Sequence, residues 1–97
     1  MKIVLKGLKH NPENAKLYSI LGREYKFLGK FTNAIEAYKN VIKYDEQNHL
    51  DTYLKIAAIY HTELRDEKEA KKFLKKYLKK GGDKKLLEKY DLASLNI

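Results

Sequence analysis

Between Asn14 and Leu28 a row of large apolar side chains runs through Tyr18, Leu21, Tyr25 and Leu28, with Leu17 beside it and lysine, serine and arginine between. Steps of three and four put them on one side of a helix, so the pattern predicts an amphipathic α-helix here. The same period predicts helices over Phe31–Tyr44, Asn48–Leu64, Asp66–Lys80 and from Asp83 to about Leu92. No stretch alternates apolar and polar residues in steps of two, and no strand is needed. Ahead of these, Ile3, Val4, Leu5 and Leu8 read as the last turns of a helix whose own partner is missing.

The punctuation between the helices recurs. Asn14, Asn48 and Asp83 stand at spacings of 34 and 35, each able to accept a hydrogen bond from the first turn of the helix that follows. Leu28, Gly29 and Lys30 supply a glycine able to take the left-handed conformation at a helix end. The second unit has a turn one residue longer, closed by Asp66, which with Glu69 three residues on makes a near capping box.

The helices themselves repeat as well. Tyr18, Leu21, Gly22 and Tyr25 fall on Tyr53, Ile56, Ala57 and Tyr60 at an offset of 35. Ala34 and Tyr38 precede Val41 and Ile42 as Ala70 and Leu74 precede Tyr77 and Leu78. Each unit is therefore a pair of helices. Glycine inside a helix costs about 1 kcal/mol against alanine, so Gly22 implies a close approach that a side chain would block. The expectation is a tight antiparallel crossing at Gly22 and Ala34, and at Ala57 and Ala70.

Composition narrows the function. A chain of 97 residues buries a modest core and leaves no room for a deep catalytic cleft. With no cysteine it has no disulfide and no thiolate ligand, which makes the cytoplasm the expected compartment. Lys6, Gly7 and Lys9 interrupt the first apolar group well before a signal or membrane-spanning length. His10, His49 and His61 are scattered, without metal-ligand spacing, so no metal and no cofactor is expected. Ser19 and Ser94 have no histidine at helical spacing, and Gly81 and Gly82 read as a helix stop rather than a phosphate loop. The expectation is a protein that is not an enzyme.

The formal charge of +8 is unevenly placed: Lys71 to Lys89 holds nine lysines against Asp83 and Glu88. Lys71, Lys72, Lys75, Lys76, Lys79 and Lys80 fan out around an apolar stripe of Phe73, Leu74, Tyr77 and Leu78. Such a helix can meet phosphate backbones, acidic lipids or acidic grooves, or simply be the solvated outside of a packed helix. Eight tyrosines interleave with lysine and could stack on bases, yet most occupy the repeat's own packing positions. Tyr44 and part of Tyr38 are the ones expected to be exposed.

Taken together, the 34-residue period and the pattern Tyr18-x2-Leu21-Gly22-x2-Tyr25, Ala34-x3-Tyr38, with Pro12 ahead of it, resemble the tetratricopeptide repeat, whose skeleton is W-x2-L-G-x2-Y, then A-x3-F, then P. Tyr53-x2-Ile56-Ala57-x2-Tyr60 and Ala70-x3-Leu74 match it more loosely. The resemblance implies an all-α fold of antiparallel helix-turn-helix repeats stacked as a short right-handed α-solenoid. Residues 1–10 would be a remnant helix of a preceding repeat in a longer array, 14–47 the first repeat, 48–82 the second, and 83–97 a capping helix and tail.

The resemblance also implies a partner-binding concave groove lined by the first helix of each pair. By register it would hold Lys16, Ser19, Arg23, Lys26 and Phe27 in the first repeat and Asp51, Leu54, Lys55, Ala58, His61 and Thr62 in the second. Some family members clamp a chaperone's terminal carboxylate there; Ser19, Arg23 and Lys55 stand where that clamp would begin, so the clamp pattern is absent. The expected function is a non-catalytic protein–protein interaction scaffold binding a peptide or helix in the groove. The alternative is a binder of an anionic partner, nucleic acid or acidic membrane or protein, through Lys71–Lys89. Self-association is expected through the N-terminal edge, where Ile3, Val4, Leu5 and Leu8 would be partly bare for want of a polar cap.

Overall fold

A computed structural model describes residues 1–95, and every regular element among them is helical. The elements are α1 (Lys2–His10), α2 (Ala15–Phe27), α3 (Phe31–Asp45), α4 (Thr52–Ala58), which runs on into a π-helical turn (Ile59–Glu63), α5 (Glu67–Lys79) and α6 (Leu86–Lys89). They divide into two compact units, Met1–His49 and Leu50 onward.

In the first unit α2 and α3 form the predicted pair. Asn14 starts α2 as its sequence position implies, its Oδ1 accepting from Leu17 N–H at 3.1 Å. Gly29 ends it with φ +76, and Lys30 N–H closes back onto the Tyr25 carbonyl at 2.9 Å. Gly22 does sit at a close approach, but to a side chain rather than a backbone: a β-carbon there would lie 2.6 Å from Cε1 of Tyr38. Tyr38 is accordingly buried and not partly free, which corrects the expectation from sequence. Tyr44, also expected to be free, is half-buried and stacks on Tyr18 with ring centroids 5.8 Å apart. The Tyr18 hydroxyl donates to the Pro12 carbonyl at 2.9 Å, which fixes the entry to α2.

The N-terminal edge is not bare where the sequence suggested. Helix α1 lies on α2, with Val4 and Leu8 buried in one cluster with Leu21 and Ala37. Leu17, Tyr18, Ile20 and Tyr25 pack around that cluster. Gly7 permits the approach, since a β-carbon there would already stand 3.0 Å from Leu17 Cδ1. Of the four apolar residues named, Ile3 and Leu5 are the exposed ones.

In the second unit the extra residue of the connecting turn is absorbed by the π-turn. In the first pair the closing bond runs from Lys30 back five residues to Tyr25; in the second it runs from Asp66 back six, to Tyr60, at 2.8 Å. The wider loop is accommodated by Leu64 N–H bonding Ile59 at 3.0 Å and by Arg65 at φ 55. Asp66 caps α5 as expected, accepting from Glu69 N–H at 3.1 Å. Helix α5 returns on α4 with Ala70, Phe73, Leu74 and Tyr77 buried, and Tyr60 stacks on Phe73 at 5.8 Å.

Two expectations for this unit are corrected. Asn48 does not cap α4, because turn bonds from His49 to Glu46 and from Tyr53 to Leu50 delay the helix to Thr52, beyond its reach; its Nδ2 donates to the Asp45 carboxylate at 3.0 Å. The helix expected from Asp83 to about Leu92 shrinks to the single turn α6. Gly81 at φ +90 and a turn held by Asp83, which accepts from Lys85 N–H at 2.9 Å, delay its start, and Asp91 at φ 59 ends it. Leu92 and Leu95 then continue irregularly and are buried, in place of the amphipathic helix expected to run on there. The last two residues of the expected tail, Asn96 and Ile97, lie outside the described residues.

Candidate functional site

The exposed side of α2 carries Lys16, Arg23, Lys26 and Phe27, while Ser19 is half-buried. Positions 16, 20, 23 and 27 recur at helical spacing, so Arg23 and Phe27 share a line along the rod. Phe27 is the last residue of α2 and 91% exposed, beside Leu28 at 57%. The reversal at Gly29 aims the chain back into α3 and leaves this aromatic–aliphatic pair outside. A hollow of about 510 Å³ opens here, lined by Met1, Arg23, Glu24, Phe27 and Leu28. The sequence register placed Arg23 and Phe27 together, but it missed Leu28. Two large apolar residues directly ahead of a helix-ending glycine were the available signal.

The second half of the expected groove is different. Leu54 is fully buried and Ala58 nearly so, which removes both from any partner-facing surface and corrects their assignment. The physical reason lies in the C-terminal segment. The Tyr90 hydroxyl donates to Asp51 Oδ2 at 3.2 Å, and His61 lines a hollow of about 380 Å³ with Glu88, Asp91, Ala93 and Ser94. Leu54 and Ala58 lie between Asp51 and His61 along the helix. His61 also meets Glu67 across the π-turn, Nδ1 to Oε1 at 2.6 Å, and Thr62 donates its hydroxyl to the Ala58 carbonyl at 2.8 Å. Lys55 is half-buried and Thr62 remains exposed.

On α5, Lys72, Lys75, Lys76, Lys79 and Lys80 are exposed and Lys71 is half-buried. Lys76 Nζ stands 5.0 Å from the Phe73 ring centroid, and Lys72 reaches Glu69 at 4.0 Å. Among the described residues no group of three or more His, Asp or Glu is arranged to hold a metal ion. No helix among them is long and apolar enough to cross a membrane.

A family model described as tetratricopeptide repeat matches residues 15–48 and 50–79. The chain belongs to the tetratricopeptide repeat family. Comparison with curated proteins and with solved structures gave no match. In each tetratricopeptide repeat of this chain the small residue of the first helix, Gly22 or Ala57, and that of the second, Ala34 or Ala70, are buried as the skeleton requires. Tetratricopeptide repeats mediate protein–protein interaction and the family is typically non-catalytic. For this chain, the packing of the repeat leaves the α2 face around Phe27 exposed.

Proposed function

We propose that the protein is a non-catalytic interaction scaffold in the cytoplasm, whose first repeat takes a peptide or helix of a partner protein against α2. The observation that carries this reading is Phe27, 91% exposed at the rim of the hollow it shares with Arg23 and Leu28. A large aromatic left in water gains nothing for folding, whereas an aromatic beside an arginine has the composition of an interface hot spot. Lys26 stands beside it and Lys16 lies near the other end of α2, so the partner segment combines an apolar anchor for the hollow with acidic residues along the helix. On the second repeat Leu54 and Ala58 are unavailable, and the reading rests on the first.

Peptides selected from a displayed library against the full chain test it. Selected peptides should carry a large apolar residue, and the Arg23→Ala, Phe27→Ala double variant should bind them at least about tenfold more weakly, the loss of a hot-spot anchor. Equal binding by the variant would remove α2 as the docking face.

A further inference from the structure

Helix α5 carries its acidic residues in the first turn, Glu67 and Glu69, and Glu67 is held by His61. From Ala70 to Lys79 there is none. One side of the helix is fixed inward by Ala70, Phe73, Leu74 and Tyr77. At 100° per residue, Lys68, Lys72, Lys75 and Lys79 then run along the middle of the opposite side. Lys71 lies to one side of that row, and Lys76 and Lys80 to the other. The middle row is about 16 Å long with steps of about 5–6 Å. Lysines thus cover half the circumference of a rigid rod, with exposed Lys84 and Lys85 just beyond its end.

The shape of this charge selects among polyanions. A flat anionic membrane would meet the middle row alone, and the large side chains Phe73, Leu74 and Tyr77 are buried and cannot insert. The same burial removes the aromatic platforms that hold single strands. A duplex groove fits instead, because it offers phosphates on both walls to a half-cylinder of lysines. The major groove of B-DNA, about 12 Å wide, admits an α-helix, while that of duplex RNA is too narrow. The outer side of α5 holds no Arg, Asn or Gln, so the only base contact open to it is lysine to guanine.

We propose that α5 seats in the major groove of duplex DNA and binds it mainly through the backbone, the long side chains of Lys68, Lys72, Lys75 and Lys79 splaying to the phosphates of both walls with Lys71 and Lys76 at the flanks. This surface belongs to the second repeat and acts independently of the Phe27 anchor.

Fluorescence anisotropy of a short labelled DNA duplex with the full chain, titrated with salt, is the test. About five phosphate contacts give an affinity that falls about 500-fold between about 50 and 200 mM salt. The Lys72→Gln, Lys75→Gln, Lys79→Gln variant, with unchanged far-ultraviolet helicity, should weaken binding by more than tenfold at low salt and make the logarithmic salt slope shallower by about 2.7. A Lys2→Gln, Lys6→Gln, Lys9→Gln variant and Phe27→Ala should each keep the wild-type slope. Absent binding at low salt, or an equal loss in both triple variants, overturns the proposal. Duplex RNA or phosphatidylserine vesicles bound as tightly as the DNA would also overturn it, by removing the fit to the groove.

Discussion

The ring of Tyr38 on α3 occupies the space that a side chain at Gly22 on α2 would need, with ring atoms 2.6 to 2.9 Å from the position of a β-carbon. Tyr38 is buried, so its ring cannot swing aside into solvent. Gly22→Ala therefore combines a gain of about 1 kcal/mol in helix propensity with overpacking of about 1–3 kcal/mol. The expected net result in chemical unfolding is a loss of stability of about 1 kcal/mol. In a Tyr38→Leu background the ring is gone, and the same alanine should be neutral or stabilising. A Gly22→Ala effect that is unchanged by Tyr38→Leu would mean that the two residues do not meet.

Val4 and Leu8 are predicted to act on folding. Because they join Leu21 and Ala37 in the cluster under α1, Val4→Lys with Leu8→Lys would bury two ammonium groups or expel the helix. Circular dichroism should show α1 detached or the first unit unfolded. Ile3→Lys, at a position 86% exposed, should change melting little. Intact folding of the double variant would show that α1 does not seal this edge.

Tyr77 should make the second unit sensitive to alkali. Burial pushes its hydroxyl above the ordinary tyrosine value of 10.0, outweighing the hydrogen bond to the Asp83 carbonyl, while the charges of Asp83 and Asp51 push the same way. Above about pH 10 the unfolded chain loses this proton more readily than the folded one, so the contribution is full below that pH and fades as pH rises through the folded value. Urea midpoints for wild type should fall more steeply above pH 10 than those for Tyr77→Phe. Parallel curves for the two proteins would contradict the assignment. The Tyr77 ring also fills the space beside Gly82, where a β-carbon would overlap it, so the same tyrosine anchors the chain leaving α5.

Much of this architecture is legible because local chemistry and packing agree. Asn14 and Asp66 precede apolar faces that want a helix, and both cap one. Gly29 has no competing requirement and takes the left-handed turn. Legibility fails where a side chain has two possible partners or where burial comes from distant residues. Asn48 resembles Asn14 in position, but the turns that follow it put off the helix to Thr52, and its Nδ2 donates to Asp45 instead. Leu54 and Ala58 occupy groove positions by register, yet they are buried, and Asp51 ahead of them is met by Tyr90, a contact that no local period encodes. The turn of α6 is short because Gly81 and the Asp83 turn delay it and Asp91 ends it, and a helical stripe carried by Leu87 and Tyr90 gives no hint of the buried Leu92 and Leu95 that follow. Arg23 and Phe27 were legible as neighbours; the exposure of Leu28 and the hollow beside it depend on where the chain turns.

The central claim, that a partner docks on the Phe27 end of α2, is tested most directly by nuclear magnetic resonance. A selected peptide should be titrated into the isotopically labelled chain while backbone amide shifts are followed. The largest shifts should run from Arg23 to Lys30, with smaller ones near Lys16 and none along α5. Shifts confined to α5 or to the π-turn, with residues 23–30 unmoved at saturation, would contradict it.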